Sequence, residues 1–442
     1  MEPRAASISP DRVVIVNCWD DSNKGDAAIT TGLLNALKAN RAASKYTLVS
    51  YVFHPDLPST RQSLRHVLGA HPDVDIKQPS VPALIRSVGK WNGLFSALRC
   101  IGKLMAPSLI KDDTMEADIR QSSLVASNGG LYFGFVESDH INTLYHLFAF
   151  SYPMLFAHRV KVPFILYAQS FGPFHNGMTR RWMRWLFNAS AGNWSRESIS
   201  NQLLLGLGAP SATTHVVPDA AFTVQPDALE KKGNFDFSAL AQDPYVALSV
   251  RQLGPTGHSR ENEQRYYDSI VSTINWIAED LAMRVVLVSH TLGPLADEDD
   301  RVASRQVYSA LTPNAQERTL QLDADLSPAE LAFVYGRAEL VVATRFHAVV
   351  LAICGGAPVI AIPYFGTKTQ GAFRDLGLES MLLEVRNLSP EVLHNKIQQC
   401  LNQRTELRRK IAQIAEAQFG QAMRTGADAA QIAQHHAMHR LS

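Results

Sequence analysis

Charge of one sign is in short supply in this chain: 42 Lys and Arg stand against 41 Asp and Glu, a net of +1. That balance argues against non-specific nucleic-acid binding as the main task, and no nucleic-acid partner is expected. Cysteine is scarce as well. Cys18, Cys100, Cys354 and Cys400 are scattered without a CxxC pair, which suggests neither a zinc site nor a disulfide framework and fits a reducing compartment. No apolar run comes near the ~20 residues of a membrane-spanning helix. Met1 to Asp11 carry charge and two prolines but no apolar stretch, so no signal peptide is expected and a cytoplasmic location is. HExxH, Walker A and Ser-His-Asp patterns are missing.

What is there is an alternation. The chain has 442 residues, 46% hydrophobic and 19% charged, which fits an ordinary globular enzyme too long for one core. Short apolar runs at 13–16, 46–52, 124–126, 163–167 and 214–217 read as buried strands, with a helix over 27–39. Residues 225–243 are polar and read as a linker. Strands then return at 245–250, 284–289, 341–343 and 358–362, with helices around 266–281, from Ser327 and over 348–354. Ser327 and Glu330 form a capping box. Strands separated by helices mean parallel sheets with helices on both faces. The expected fold is α/β with two Rossmann-like domains, 1–224 and 244–389, and a C-terminal helical segment, 390–442, packing back across the domains.

Two stretches stand apart. Residues 81–111 mix Arg86, Lys90, Arg99 and Lys103 with Trp91, Leu94, Phe95, Leu98 and Ile101, and 180–187 reads Arg-Arg-Trp-Met-Arg-Trp-Leu-Phe. Each is either a basic amphipathic helix resting on an anionic membrane or a half-buried helix whose basic residues snorkel.

The candidate chemistry lies at strand ends. Thr344-Arg345-Phe346-His347 stands where a strand hands over to a helix, the edge where α/β proteins bind ligands. The free N–H groups and dipole of a helix start favour an anion there. Arg345 adds a fork suited to carboxylate or phosphate, and His347 a group that moves protons near neutral pH. Arg251 closes the strand at 245–250, His290 ends the strand at 284–289, and Lys368 follows the last strand. In the first half, Asn23-Lys24-Gly25-Asp26, Asn128-Gly129-Gly130 and Ser170-Phe171-Gly172-Pro173 each sit at a strand end. Each fits a cap or tight turn as well as room for a ligand. Arg196-Glu197 reads as a structural salt bridge, and Asp219 as a strand-end residue that faces a ligand or caps a turn.

Together these pieces resemble the polysaccharide pyruvyl transferase family. The resemblance spans residues 13 to 380 through Asn17 with Asn23 to Ile29, Asn128-Gly129-Gly130, Gln169 to Pro173, Ser195 to Ser198, Pro218 to Phe222, Ser249-Val250-Arg251, Thr344 to His347, Gly356 to Ile360 and Tyr364 to Lys368. Asp297 to Arg301 looks most like the colanic-acid and exopolysaccharide branch. Leu131 stands where the family often has a third glycine.

The resemblance implies a GT-B-like fold and transfer of a pyruvyl group from phosphoenolpyruvate onto two hydroxyls of one sugar, giving a cyclic ketal in a bacterial exopolysaccharide precursor. For that reaction His347 reads as the general acid or as the group that stabilises the developing charge, and Asp26 as the base that accepts a hydroxyl proton or as the group that orients the sugar. Arg345, Arg251, Lys368 and Thr344 would hold the donor. Asn23, Gly25, Asn128, Gly129, Gly130, Ser170 and His290 would meet the acceptor. No metal and no cofactor are implied beyond phosphoenolpyruvate as co-substrate. The acceptor partner is expected to be a lipid-linked oligosaccharide, with peripheral contact at the inner face of the cytoplasmic membrane. The alternatives are a GT-B-type glycosyltransferase using a nucleotide-sugar and a non-catalytic polysaccharide-assembly protein.

Overall fold

The computed structural model describes residues 11–441, except 53, 55, 83–89, 111–113, 135–139, 229–230, 233–234, 238–239, 241–242 and 365–367. The side chains of 90, 91, 109, 140, 141, 231, 232, 235, 236, 255, 368 and 441 also lie outside the described set. The chain forms two compact units. One takes the described residues up to Asp21, then Ile29–Ala220 and the chain from Gln421 on; the other takes Ser22–Ala28 and Ala221–Gly420.

The first unit carries β1 (Arg12–Cys18), β2 (Lys45–Ser50), β3 (Asp75–Lys77), β4 (Leu124–Ser127), β5 (Gly130–Phe133), β6 (Phe164–Phe171), β7 (Gly192–Ser195) and β8 (Thr214–Val216). Their order is β3-β2-β1-β4-β6-β7-β8, with β5 also pairing β6, and every pairing is parallel. A small antiparallel pair, β9 (Lys231–Lys232) and β10 (Phe235–Asp236), lies in the stretch expected to be a linker. The second unit carries β11 (Tyr245–Ser249), β12 (Arg284–Val288), β13 (Thr319–Leu322), β14 (Leu340–Ala343) and β15 (Val359–Ala361). Their order is β13-β12-β11-β14-β15, all parallel. In both sheets the chain builds outward from its first strand on one side, then returns to build on the other. That reversal leaves a crevice at the strands' carboxyl ends, between β1 and β4 in one sheet and between β11 and β14 in the other.

Sequence explains why these strands are central. Val13 to Val16 and Val246 to Leu248 are fully buried, as runs without alternation should be when helices cover both faces. In the second unit the helices Pro328–Arg337 and Phe346–Cys354 touch through glycine. A methyl added at Gly355 would lie 2.3 Å from the Ala332 carbonyl oxygen, and one at Gly336 would lie 2.5 Å from that of Gly355. The capping box expected at Ser327 and Glu330 is formed.

Helix starts run earlier than expected. Helix α1 spans Lys24–Ala39, not from Ala27, because Asn23 Oδ1 accepts the Gly25 N–H at 3.1 Å and the Asn23 carbonyl accepts from Asp26 and Ala27. The helix after β14 starts at Phe346, not at Ala348, so His347 stands in its first turn. The C-terminal segment forms helices Pro390–Asn402 and Arg404–Leu441. The last of these runs from the second unit into the first, where the Met423 carbonyl accepts from Asn40 Nδ2 at 2.9 Å and Gly426 lies against Ala36. Among the described residues no helix is long and apolar enough to cross a membrane.

Candidate functional site

In the second unit four neighbouring strands deliver charged and polar residues to one sheet edge. Arg251 follows β11, His290 and Thr291 follow β12, Asp323 and Asp325 follow β13, and Thr344, Arg345 and His347 follow β14. The first turn of α1 belongs to the same unit. Asn23 bridges Thr291 in antiparallel fashion, and the Leu292 N–H donates to the Ser22 carbonyl at 2.8 Å.

Arg345 departs most from the sequence reading. It is buried with its fork closed on Asp300: Nη2 donates to Oδ1 at 2.7 Å, and Nε donates to Oδ1 and Oδ2 at 3.1 and 3.2 Å. Nη2 also donates to the Glu298 carbonyl at 2.7 Å. The Thr291 N–H donates to Asp300 at 2.9 Å. Burial pushes the Asp300 carboxyl up, and Arg345 pulls it part of the way back. Burial opposes the charge on Arg345, yet Asp300 holds the guanidinium more firmly protonated than usual. The face expected to grip a donor anion is therefore occupied, because a buried guanidinium without a counter-charge would be costly. Asp300 was visible in sequence only as one member of the acidic run 297–300.

Arg251 is held differently. It is buried, its Nε donates to the Gln252 carbonyl at 2.9 Å, and its guanidinium lies 4.0 Å over the ring of Tyr364. Among the described residues it makes no salt bridge. Tyr266 braces the turn: its hydroxyl shares a 2.8 Å hydrogen bond with Thr344 Oγ1 and accepts from the Arg251 N–H at 3.4 Å. The side chain of Lys368 lies outside the described residues, although the residue opens the helix Lys368–Asp375.

Gly25 makes room for His347, where the sequence suggested a ligand or backbone. A methyl at Gly25 would lie 2.2 Å from His347 Nδ1 and 2.8 Å from its Cβ. Asp26 follows in the same first turn. Lys24, which the sequence reading did not single out, is fully buried and forms an ion pair with Asp325. Asp323 accepts from Ser289 Oγ at 2.6 Å, so both carboxylates of the Asp323-Ala324-Asp325 run, also passed over in sequence, have protein partners. His290, expected to meet the acceptor, is 1% exposed. Its Nδ1 lies 3.4 Å from the Tyr335 hydroxyl, and its Nε2 has no hydrogen-bond partner among the described residues. Burial, and then the positive charges of His347, Arg345 and Lys24, push its pKa well below the ordinary value, so it is neutral. Among the described residues no three His, Cys, Asp or Glu side chains group to hold a metal ion.

The residues expected to meet an acceptor from the first unit are enclosed within it. Asn128 is fully buried and donates from Nδ2 to Thr30 Oγ1 at 2.8 Å. A methyl at Gly129 would lie 2.7 Å from Ile29 Cγ2, and Gly130, at φ +143°, lies against the Tyr132 ring. Ser170 Oγ accepts from Arg196 Nε at 2.8 Å. None of these residues is exposed, and of their side-chain polar atoms Asn128 Oδ1 is buried with no hydrogen-bond partner among the described residues. Arg196 does not pair with Glu197: Nη1 meets Asp219 Oδ2 at 2.7 Å with both side chains buried, and Glu197 caps the helix Ser198–Gly206 by accepting from Ser200.

Comparison with known proteins gives this arrangement a family. "Amylovoran biosynthesis protein AmsJ" of Erwinia amylovora is 21% identical over 422 residues, covering 92% of this chain and 95% of that protein. Among solved structures, a UDP-N-acetylglucosamine 2-epimerase described as putative, from Listeria monocytogenes, aligns with TM-score 0.54 at 16% identity over 94% of each chain. Anabaena Alr3699/HepE in complex with UDP-glucose aligns with TM-score 0.52 at 15% identity, over 96% of this chain and 98% of that one. These neighbours share the GT-B-like α/β architecture. The sequence profile for polysaccharide pyruvyl transferase matches residues 23–365, and the chain belongs to that family.

Proposed function

We propose that this protein transfers the pyruvyl group of phosphoenolpyruvate onto two hydroxyls of one sugar in a polysaccharide precursor, forming a cyclic ketal. Arg251 carries the reading furthest: it is a buried guanidinium held at the β11 end beside the β14 turn, with no ion-pair partner among the described residues. Phosphoenolpyruvate brings a carboxylate and a phosphate, which suit a preorganised guanidinium and the N–H groups at the start of the helix Phe346–Cys354. Family membership supports the reaction class. The relative assigned by name to amylovoran biosynthesis supports a polysaccharide setting.

In this reading His347 delivers a proton to the methylene carbon of the donor, which becomes the methyl group and leaves an oxocarbenium-like centre. One sugar hydroxyl adds to that centre and gives its proton to Asp26. The second hydroxyl then displaces inorganic phosphate, which leaves with that hydroxyl's proton. Arg345 serves through Asp300, by fixing the turn that aims His347, so it is a positioning residue. Phosphoenolpyruvate is the co-substrate, and the scheme uses no metal.

The test is phosphate release from phosphoenolpyruvate with a panel of soluble and lipid-linked glycans, repeated in deuterated water. A product carrying one deuterium in its ketal methyl group is expected. Turnover that requires a nucleotide-sugar and ignores phosphoenolpyruvate would overturn the proposal and favour the glycosyltransferase reading.

A further inference from the structure

In the first unit the helix Lys90–Met105 is turned inside out. Its inward side carries small groups, Leu104 and one ion pair. Gly93 and Cys100 are buried, and Ala97 packs on the core. Lys103 Nζ donates to Glu116 Oε1 at 2.7 Å and to Ser80 Oγ at 3.2 Å. Arg159 Nε anchors the far end by donating to the Leu104 carbonyl at 3.1 Å. Five large apolar residues point the other way: Leu94, Phe95, Leu98, Ile101 and Met105 are 48%, 65%, 54%, 46% and 78% exposed. Positions 94, 98, 101 and 105 fall on one helical stripe. The helix is half-buried, as one of the two sequence readings expected, but five of its large apolar residues face away from the core.

Charge says what covers the stripe. The helix packs against the helix His140–Arg159, and so does the helix Gly177–Ala189. That last helix exposes Met178, Trp185, Arg180, Arg181 and Arg184. Trp182 Nε1 donates to Ser151 Oγ at 3.1 Å, and Trp185 meets His158 edge-on. The three helices together hold seven Lys and Arg and no Asp or Glu, in a chain whose 41 acidic residues nearly balance its 42 basic ones. A second copy meeting this face by two-fold symmetry would set the basic surface against itself. An anionic bilayer instead offers negative phosphates to the arginines and an apolar boundary to the stripe, with tryptophan at the interface.

We propose that the Lys90–Met105 helix docks the first unit on an anionic lipid bilayer, with Leu94, Phe95, Leu98, Ile101 and Met105 in the headgroup–acyl boundary and Arg99, Arg180, Arg181 and Arg184 against lipid phosphates. Docking is independent of the donor, since vesicle binding and phosphate release are read separately. The experiment is co-sedimentation of the full chain with vesicles of phosphatidylcholine alone or mixed with phosphatidylglycerol. The wild type is expected to pellet with the anionic vesicles only. Phe95→Gln with Leu98→Gln should weaken that binding about a hundredfold. Arg180→Gln with Arg181→Gln and Arg184→Gln should weaken it and flatten its salt dependence. These side chains are exposed, so far-UV circular dichroism should be unchanged. A wild type that stays in the supernatant, or variants that pellet like it, would overturn the proposal. So would a solution dimer that the Phe95 and Leu98 changes dissolve while vesicle binding is absent.

Discussion

The crevice between β1 and β4 and the crevice between β11 and β14 occupy the same topological place in their sheets, but they are filled with different chemistry. At the first, neutral amides bind the edge together. Asn17 donates from Nδ2 to Ser127 Oγ at 3.0 Å, and Gln169 Nε2 donates to Ser127 Oγ and to the Asn128 carbonyl, each at 2.6 Å. Gly129 allows Ile29 and the Ala168 carbonyl to close in. At the second, the residues are charged or titratable: Arg251, Arg345 with Asp300, Lys24 with Asp325, and the two histidines. Both edges use glycine, but Gly129 admits packing while Gly25 admits an imidazole. Topology marks where a site can be, and the side chains decide which of two equivalent edges is equipped for proton chemistry.

Removing proton chemistry from the charged edge should have the largest effect. His347→Ala is expected to lower kcat by about 10²–10⁴ with the fold intact by circular dichroism. Gly25→Ala should approach the same loss, because its methyl displaces the His347 ring. Gly129→Ala tests the other edge. Crowding against Ile29 and the Ala168 carbonyl should cost about 1–3 kcal/mol of stability while kcat in the folded protein stays near wild type. If Gly129→Ala cut kcat as deeply as Gly25→Ala, the contrast between the edges would collapse.

Each unit holds a buried charge-paired arginine, Arg345 with Asp300 and Arg196 with Asp219. Asp300→Ala and Asp219→Ala should each destabilise by about 3–5 kcal/mol, since each strands a buried guanidinium. Urea unfolding measures both. The two should differ in function: Asp300→Ala should also raise KM for phosphoenolpyruvate and lower kcat, and Asp219→Ala should change neither in the folded fraction. Equal kinetic damage from both would contradict the assignment of the donor to the second unit.

Much of this was legible in the sequence, for a physical reason. Strands buried on both faces are continuous apolar runs, so β1, β4, β11, β12 and β14 announced themselves. The edge strand β13 (Thr-Leu-Gln-Leu) and the short β7 (Gly-Asn-Trp-Ser) did not, because a short, polar-interrupted strand looks like a loop. The Thr344-Arg345-Phe346-His347 turn was legible because strand, cation and helix are contiguous. Its counter-charge was not: Asp300 lies 45 residues away, and only the fold brings a member of an acidic run onto Arg345. Gly25 was flagged for close approach, but the group that approaches it comes from residue 347. The Lys90–Met105 helix was legible as amphipathic, yet periodicity gives the width of an apolar face and not the direction in which it points.

With Arg345 occupied, the proposed donor contact rests on Arg251. Arg251→Lys keeps the charge but loses the planar fork and its stacking on Tyr364. It should raise KM for phosphoenolpyruvate about ten- to a hundredfold, the value of one or two charge-assisted hydrogen bonds, with a smaller change in kcat. Arg345→Lys should instead show chiefly as lost stability, because it breaks the bidentate contact with Asp300. If Arg345→Lys raised KM and Arg251→Lys did not, the roles of the two arginines would be reversed.

The smallest effect is a slope. His290 is buried beside positive charge, and its pKa lies well below the ordinary 6.5. As pH falls below about 6.5 the unfolded chain takes up a proton that native His290 refuses, so the stability His290 contributes is complete above that value and is lost as pH falls toward the native pKa. Over that window native stability rises with pH by at most about 1.4 kcal/mol per unit for this one group. Asp300, raised by burial, has the opposite sign, from its ordinary 3.8 upward, but it is present in both proteins compared. His290→Asn should therefore reduce the slope of unfolding free energy between about pH 5 and 6.5. Among the described residues the amide cluster of Asn17, Asn128 and Gln169 holds no histidine, and Gln169→Ala there should lower stability at every pH without changing the slope. An unchanged slope in His290→Asn would mean that His290 is protonated in the native protein, and its lack of a partner at Nε2 would then need a carboxylate or bound anion to explain it.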